Sequence, residues 1–122
     1  MATALIEGQW DYRVDEKDRF PLPPKIRNEF GKTWILAFNP ASRTVIVFPF
    51  ETWQKMVSGA ENPVQFRLAW SPFQDNHDAQ GRLRIPRKLK ELGRIGHTIQ
   101  VVSLGDRLML KAITDESYRR RN

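Results

Sequence analysis

The first apolar–polar pattern in the chain is an alternation with a period of two. The apolar positions are Ile6, Gly8, Trp10, Tyr12 and Val14, and the polar positions between and after them are Glu7, Gln9, Asp11, Arg13 and Asp15. One apolar face at this period predicts a half-buried strand. A loop over 15–18 and a short strand over 19–22 follow, and Pro23-Pro24 is typical of the first turn of a helix. Gly31 is then expected to end that helix in a left-handed conformation.

The same pattern returns 63 residues further along the chain. Residues 78–90 match residues 15–27 without a gap, with Asp, Arg, Pro and Lys recurring at the same places. Each copy continues into a predicted hairpin, with strands over 34–38 and 44–48 in the first and over 99–104 and 108–111 in the second. Each unit therefore predicts strand, loop, strand, short helix, strand, turn and strand, with Gly93 ending the second helix. Two copies of one unit are expected to bury a shared core.

Two further helices are predicted between the units, over 51–57 and 63–70. Asn62 is the expected N-cap of the second, with Pro63 at its first position. A last helical turn is expected near Asp115, capped by Thr114. We therefore predict one domain over 1–122, made of a first repeat over 6–53, a helical connection over 54–70 and a second repeat over 71–116. A copy alone would bury too little surface to be stable.

The charge of the chain indicates a polyanionic partner. The formal net charge is +6 over 122 residues. Residues 1–60 contribute eight basic against seven acidic side chains, whereas residues 61–122 contribute twelve against seven. Such an excess is typical of nucleic-acid binding, although a protein that is merely basic is the plain alternative.

Other classes find less support in the composition. No apolar run approaches the roughly 20 residues that span a bilayer, so no membrane partner is expected. Residues 1–10 lack the basic and long apolar segments of a signal peptide, and the chain has no cysteine, which fits a cytoplasmic protein.

The repeated Asp-x-x-x-Arg loops carry the main candidate chemistry. Asp15 and Asp78 are expected to accept backbone N–H groups of their loops and to orient Arg19 and Arg82. One interpretation is a clamp that holds the loop shape. The other is that each Arg is presented to phosphates or guanine edges. The two roles are compatible.

Basic residues cluster around both loops and form the candidate DNA surface. They are Arg13, Lys17, Arg19 and Lys25 in the first repeat and Arg82, Arg84 and Arg87 in the second. Arg94 continues the second cluster. A solvated charged face is the alternative, but recurrence at the same repeat positions favours binding.

Enzymatic chemistry finds little support in the sequence. His77 and His97 are isolated, and no nucleophile or phosphate-loop motif occurs. Asp15 and Asp78 could meet as a carboxylate pair, but an Arg near each would keep it ionised. We predict a non-enzymatic protein with no metal, no cofactor and no small-molecule substrate.

The residues resemble a known family. The matching segments are Gly8-x-Trp10-x-x-x-Val14-Asp15-x-Lys17-x-Arg19-x-x-x-Pro23, Val47-Phe48-Pro49-x-Glu51-x-Trp53, and Asp78-x-x-Gly81-Arg82-Leu83-x-Ile85-Pro86 with Val101-Val102-x-Leu104-Gly105-Asp106-Arg107. They are similar to the MraZ family, which is related to the SpoVT-AbrB regulators. The resemblance covers roughly residues 6–115. Asp18 departs from the pattern, because the family usually has Gly there; if the position needs a positive φ, Asp fits it less well than Gly, and its charge lies beside Arg19.

The resemblance implies both a fold and a function. The implied fold is mainly β with short helices, a pseudo-two-fold, swapped-hairpin β-barrel of AbrB type built from two repeats in one chain. The implied function is sequence-specific regulation of transcription, as a repressor of the division and cell-wall gene cluster. Family members form homo-oligomeric rings that bind tandem direct repeats of double-stranded DNA, which places the chain in the cytoplasm at the nucleoid. Arg19 is the leading candidate for DNA contact.

Two alternatives remain open at this point. One is an antitoxin-like AbrB module that sequesters a protein toxin as well as DNA. The other is a ring-forming scaffold that has lost DNA binding, which the Asp18 charge keeps open.

Overall fold

The computed structural model describes residues 8–121, and the secondary structure alternates between strands and short helices. In order, the elements are β1 Gln9–Arg13, β2 Arg19–Pro21, α1 Pro24–Glu29, β3 Thr33–Asn39, β4 Thr44–Pro49, α2 Phe50–Ser58, α3 Pro63–Trp70, β5 Phe73–Asn76, β6 Arg82–Arg84, α4 Arg87–Leu92, β7 Thr98–Ser103, β8 Leu108–Ala112 and α5 Asp115–Arg121. The prediction for residues 6 and 7 lies outside the described residues. The expected combination of β-strands with short helices is confirmed as a mixed α+β fold with mostly antiparallel strands.

Strand exchange between the two repeats organises the sheet. Its six strands run in the order β1-β7-β8-β4-β3-β5, while β2 and β6 form a separate two-stranded ladder. The first strand of each repeat pairs with the hairpin of the other: Trp10 lies opposite Val101, and Gln74 lies opposite Ile35. Because every ladder except the two hairpins joins one repeat to the other, neither repeat completes its sheet alone.

The closed barrel implied by the resemblance is not observed over residues 8–121. The six-stranded sheet has open edges at β1 and β5, and β2 pairs only with β6. Each Asp loop turns the chain sharply after β1 or β5, so that the three-residue strands β2 and β6 leave the main sheet instead of closing it. The swapped hairpins are therefore present without a continuous barrel.

Alternating side chains of β3 and β4 separate two hydrophobic clusters, one on each face of the sheet. Trp34 and Val47 point to the larger cluster, which also contains Phe20, Ile26, Leu83 and Leu89 from the β2–β6 ladder and the short helices. Ile35 and Phe48 point to the smaller one, where Trp53 of α2 packs against Phe48 with ring centroids 5.3 Å apart. The larger cluster thus packs beneath the β2–β6 ladder, which follows the two Asp loops.

The predicted ends of the two repeat helices are wrong. Neither Gly31 nor Gly93 has a positive φ; α1 ends on an extended Phe30, and Gly93 keeps a right-handed helical conformation. The left-handed residue after α4 is Arg94, with a φ of 55°. The α4–β7 connection covers 93–97 and the α1–β3 connection only 30–32, so the two helices do not end in the same way.

The other predicted caps are confirmed. Asn62 accepts a hydrogen bond from the Gln65 N–H at 3.1 Å, and Thr114 accepts one from the Ser117 N–H at 3.0 Å. None of the helices between residues 8 and 121 combines the length and apolar character needed to cross a bilayer.

Candidate nucleic-acid interface

The β2–β6 ladder presents arginines on its outer face. Phe20 pairs with Leu83, and both side chains are fully buried in the core. Arg19 pairs with Arg84 and Pro21 with Arg82, and because side chains alternate along a strand, these residues lie on the face away from the core. The ladder therefore brings three predicted site residues, Arg19, Arg82 and Arg84, onto one small ribbon.

Each Asp loop is closed by three hydrogen bonds to its carboxylate. Asp15 accepts from the backbone N–H groups of Lys17 at 2.9 Å and Arg19 at 2.8 Å, and from Arg19 Nε at 2.9 Å. Asp78 accepts from the Gln80 and Arg82 N–H groups at 3.0 and 2.9 Å, and from Arg82 Nε at 2.9 Å. This is the geometry that a loop-shaping role requires, and it recurs in both repeats.

The two loops also meet each other. Arg19 Nη1 lies 3.7 Å from Asp78 Oδ2, and Arg82 Nη1 lies 3.7 Å from Asp15 Oδ2. We call these four residues the Asp–Arg network. Asp15 and Asp78 thus come together, as the sequence allowed, but both arginines bridge them and no carboxylic acid pair forms. The side chains of the network are 27–34% exposed, so the guanidinium groups remain accessible from solvent.

Hydrogen bonding keeps both carboxylates ionised. The Arg19 backbone N–H, the largest influence, lowers the pKa of Asp15 below its ordinary value of 3.8, although desolvation opposes the shift. The Arg82 backbone N–H lowers the pKa of Asp78 in the same way. Both groups therefore stay negative at neutral pH and balance the two arginines between them.

We expect the loops to lose stability in acid. Since the pKa of each Asp is lower in the folded than in the unfolded chain, its contribution to stability is complete above about pH 5 and is lost as the pH falls through the unfolded and then the folded pKa. Urea unfolding of the wild type should therefore weaken between about pH 5 and pH 3. Asp15→Asn together with Asp78→Asn should remove part of that dependence. An identical pH dependence of the two proteins would contradict the assignment.

The position before each network arginine requires a left-handed backbone. Asp18 has a φ of 63° and Gly81 a φ of 77°. Position 18 therefore does need a positive φ, and Asp18 places a β-carbon in a backbone conformation that favours glycine. At Gly81 a β-carbon would lie 1.8 Å from Arg27 Nη1, so this glycine also makes room for the Arg27 side chain from α1 of the first repeat.

Two basic residues that were not among the predicted site residues reach across the repeats. Arg27 donates to the Gln80 carbonyl at 3.2 Å, and Lys90 Nζ lies 2.5 Å from Asp18 Oδ1. Arg27 and Lys90 occupy the same place in their repeats, and this equivalence was the available signal. The Asp18 charge is thus paired with Lys90.

The remaining predicted residues surround the ladder without joining the network. Lys17, Lys25, Arg84 and Arg87 are exposed. Arg87 forms an exposed ion pair with Glu91 at 3.5 Å. Arg13 lies with its guanidinium carbon 4.9 Å from the centre of the Tyr118 ring, so it is positioned by α5.

Neither histidine forms part of a metal site. His77 Nδ1 accepts a hydrogen bond from Trp34 Nε1 at 3.1 Å, and desolvation, the largest influence, lowers its pKa. Within the described part of the chain, no group of three His, Cys, Asp or Glu side chains could hold a metal ion.

Known proteins resemble the chain over most of its length. A transcriptional regulator MraZ of Dehalococcoides mccartyi is 34% identical over 113 residues, which cover 83% of this chain and 76% of that protein. The transcriptional regulator MraZ of Bifidobacterium longum is 27% identical over 124 residues, covering 93% and 82% of the two chains. That of Oenococcus oeni is 26% identical over 111 residues, covering 84% and 77%. No protein-family model matches the chain.

Proposed function

Because the chain belongs to the MraZ family of transcriptional regulators, we propose that it binds double-stranded DNA through the outer face of the β2–β6 ladder. The family is one of regulators and not of enzymes, as predicted. The contact surface consists of the Asp–Arg network and the basic side chains around it, namely Arg13, Lys17, Lys25, Arg84 and Arg87.

The observation that carries this proposal is the arrangement of arginines on the ladder. A two-stranded β-ribbon fits the major groove of B-DNA, and arginine is the side chain that pairs most often with guanine edges and phosphates. Arg19 and Arg82 are held by carboxylates on one side yet keep about a quarter of their side chains exposed. Their geometry is therefore fixed before DNA binds, which lowers the entropic cost of ordering them.

Asp15 and Asp78 act here as orienting groups. Each carboxylate fixes the Nε edge of its own Arg and leaves the terminal nitrogens only loosely held at 3.7 Å. A phosphate or a guanine edge can replace these long contacts, because it offers shorter charge-assisted hydrogen bonds. The loops stay closed during that exchange, since their backbone hydrogen bonds do not change.

The finer parts of the proposal concern assembly and target. We propose that several copies form a ring and that each presents one ladder to one direct repeat of a tandem operator. The overall affinity would then exceed that of each weak single contact, because linked sites have a high effective concentration. The target would be the division and cell-wall gene cluster, with the protein acting as its repressor at the nucleoid. The chain would work as one domain with repeats over 6–53 and 71–116 and a connection over 54–70.

Fluorescence anisotropy with the DNA upstream of the chain's own gene tests this function. We expect that duplex to bind more tightly than a scrambled duplex, and the affinity to fall steeply with salt, with a slope of about −0.9 for each phosphate contacted. Equal, weak binding of both duplexes would contradict sequence-specific regulation and favour the ring-forming scaffold. Absence of any binding at low salt would reject DNA binding altogether.

A further inference from the structure

A second basic feature lies beside the first Asp loop. The cleft between this loop and α4 encloses about 550 Å³. Its charged lining residues are Asp18, Arg84, Arg87, Lys90, Glu91 and Arg94. We call it the Arg84–Arg94 cleft. Arg84 lies opposite Arg19 in the ladder, so the cleft is continuous with the outer face of the ribbon.

The charges of the cleft do not cancel. Lys90 is paired with Asp18, and Arg87 with Glu91. Among residues 8–121, neither Arg84 nor Arg94 has a carboxylate within ion-pair distance, and both side chains are exposed. The guanidinium groups of Arg84 and Arg94 therefore line the cleft without a paired carboxylate, beside Arg87 and Lys90, whose charges are balanced.

Arg94 is held in a conformation that its side chain does not favour. Its φ is 55°, in the left-handed region, where glycine is preferred and other residues are strained by about 1 kcal/mol or more. Its neighbour Gly93 has an ordinary helical conformation, so the chain places the arginine, not the glycine, at the strained position. The strained position is thus occupied by an exposed arginine that lines the cleft.

The cleft is not a by-product of the duplication. Across the shift of 63 positions, Asp18 of the first repeat corresponds to Gly81 of the second, and the other four residues of the second repeat correspond to first-repeat residues. Arg84, Arg87, Lys90 and Glu91 match Pro21, Pro24, Arg27 and Asn28. Only one of these five counterparts is charged. Arg94 lies in a connection that is two residues longer in the second repeat, 93–97 against 30–32. The positive cleft therefore exists on one side of the pseudo-two-fold only.

We propose that the Arg84–Arg94 cleft binds one phosphate group of the DNA backbone, next to the segment that the ladder contacts. This rests on the DNA-binding function proposed above and deepens it. Because the equivalent place beside the second Asp loop and α1 lacks these charges, the contact is one-sided. It fixes the direction in which each ladder lies on an asymmetric direct repeat, a choice that a symmetric pair of loops could not make.

Replacing Arg94 with glycine tests the cleft with little risk to the fold. Glycine removes the charge and relieves the left-handed strain, so the variant should be at least as stable as the wild type to urea. Its affinity for the upstream duplex should fall about tenfold, as expected for a lost charge-assisted hydrogen bond. The salt slope should shrink by about 0.9. Arg84→Ala should have a similar effect.

Arg43→Gly is the matched control. Arg43 also has a left-handed backbone, with a φ of 57°, and is exposed at the β3–β4 turn, but it does not line the cleft. Its replacement makes the same change of charge and of backbone strain. We expect its affinity for the duplex and its salt slope to equal those of the wild type.

Three outcomes would overturn the proposal for the cleft, and each can be told apart from a failure of the proposed DNA-binding function. If the wild type binds the duplex and Arg94→Gly and Arg84→Ala bind equally well, the function stands and the cleft proposal fails. Equal losses in Arg94→Gly and Arg43→Gly would reduce the effect to net charge. If inorganic phosphate alone protects the wild type but not Arg94→Gly from urea, and DNA affinity is unchanged, the cleft takes a free phosphate and not the DNA backbone.

Discussion

Replacement of Arg19 with alanine is expected to abolish operator binding. Arg19 is the network arginine that lies opposite Arg84 in the ladder, whereas Arg82 lies opposite Pro21. Loss of one such contact costs about 1–3 kcal/mol in each subunit. Since several subunits would bind one tandem operator together, these losses accumulate and reduce binding below detection. A gel-shift titration of the variant against the wild type measures the effect.

Assembly should survive the Arg19 substitution. The side chain lies on the outer face, and the loop keeps the two backbone hydrogen bonds that Asp15 accepts. The subunit number and the urea midpoint should therefore change little. Arg82→Ala is the matched control, because it removes the equivalent side chain with the same contacts, and it should weaken binding less. Wild-type affinity in Arg19→Ala, or a larger loss in Arg82→Ala, would contradict this assignment.

Replacement of Phe20 with alanine is expected to cause the largest loss of stability near the site. Phe20 is fully buried, pairs with Leu83 across the ladder and belongs to the larger cluster. Truncation of such a side chain leaves a cavity and costs about 3–5 kcal/mol. Because the ladder is only three residues long, it depends on this packing more than on its own hydrogen bonds. Urea unfolding measures the change.

Phe20→Leu is the control for that substitution. It keeps most of the apolar volume, so it should cost less than about 1.5 kcal/mol and retain DNA binding. Leu68→Ala provides a second comparison, because Leu68 is 74% exposed on α3 and should change stability by no more than about 0.5 kcal/mol. A small loss in Phe20→Ala would mean that the core does not hold the ladder in place.

The duplication made much of the fold predictable. The hairpins, the helix over 63–70 and its Asn62 cap follow from local patterns and are confirmed. Strand β5 is polar, with the sequence Phe-Gln-Asp-Asn, and only its position before Asp78 in the second repeat indicated it. The helix ends were wrong, because a nearby glycine does not determine which residue turns left-handed.

Contacts between residues far apart in the chain could not be predicted from the sequence. Lys90 pairs with Asp18 over 72 positions, and Arg27 meets the second loop over 53. The interlocking of both Asp–Arg pairs depends on the pairing of β2 with β6, which follows from tertiary packing and not from any local pattern. The expectation of a closed barrel was wrong for the same reason, because the geometry of the strands after the loops decides whether the sheet closes.

Hydrogen exchange with and without the upstream duplex tests the central claim most directly, namely that the ladder and its basic surroundings form the DNA surface. We expect mass spectrometry to show slower exchange of backbone amides in peptides over 13–27 and 78–94. The effect should be much weaker with a scrambled duplex. Peptides from α2 and α3 should be unaffected. Protection over 50–70 with none in the loops would contradict the claim and place the DNA on the opposite side of the sheet.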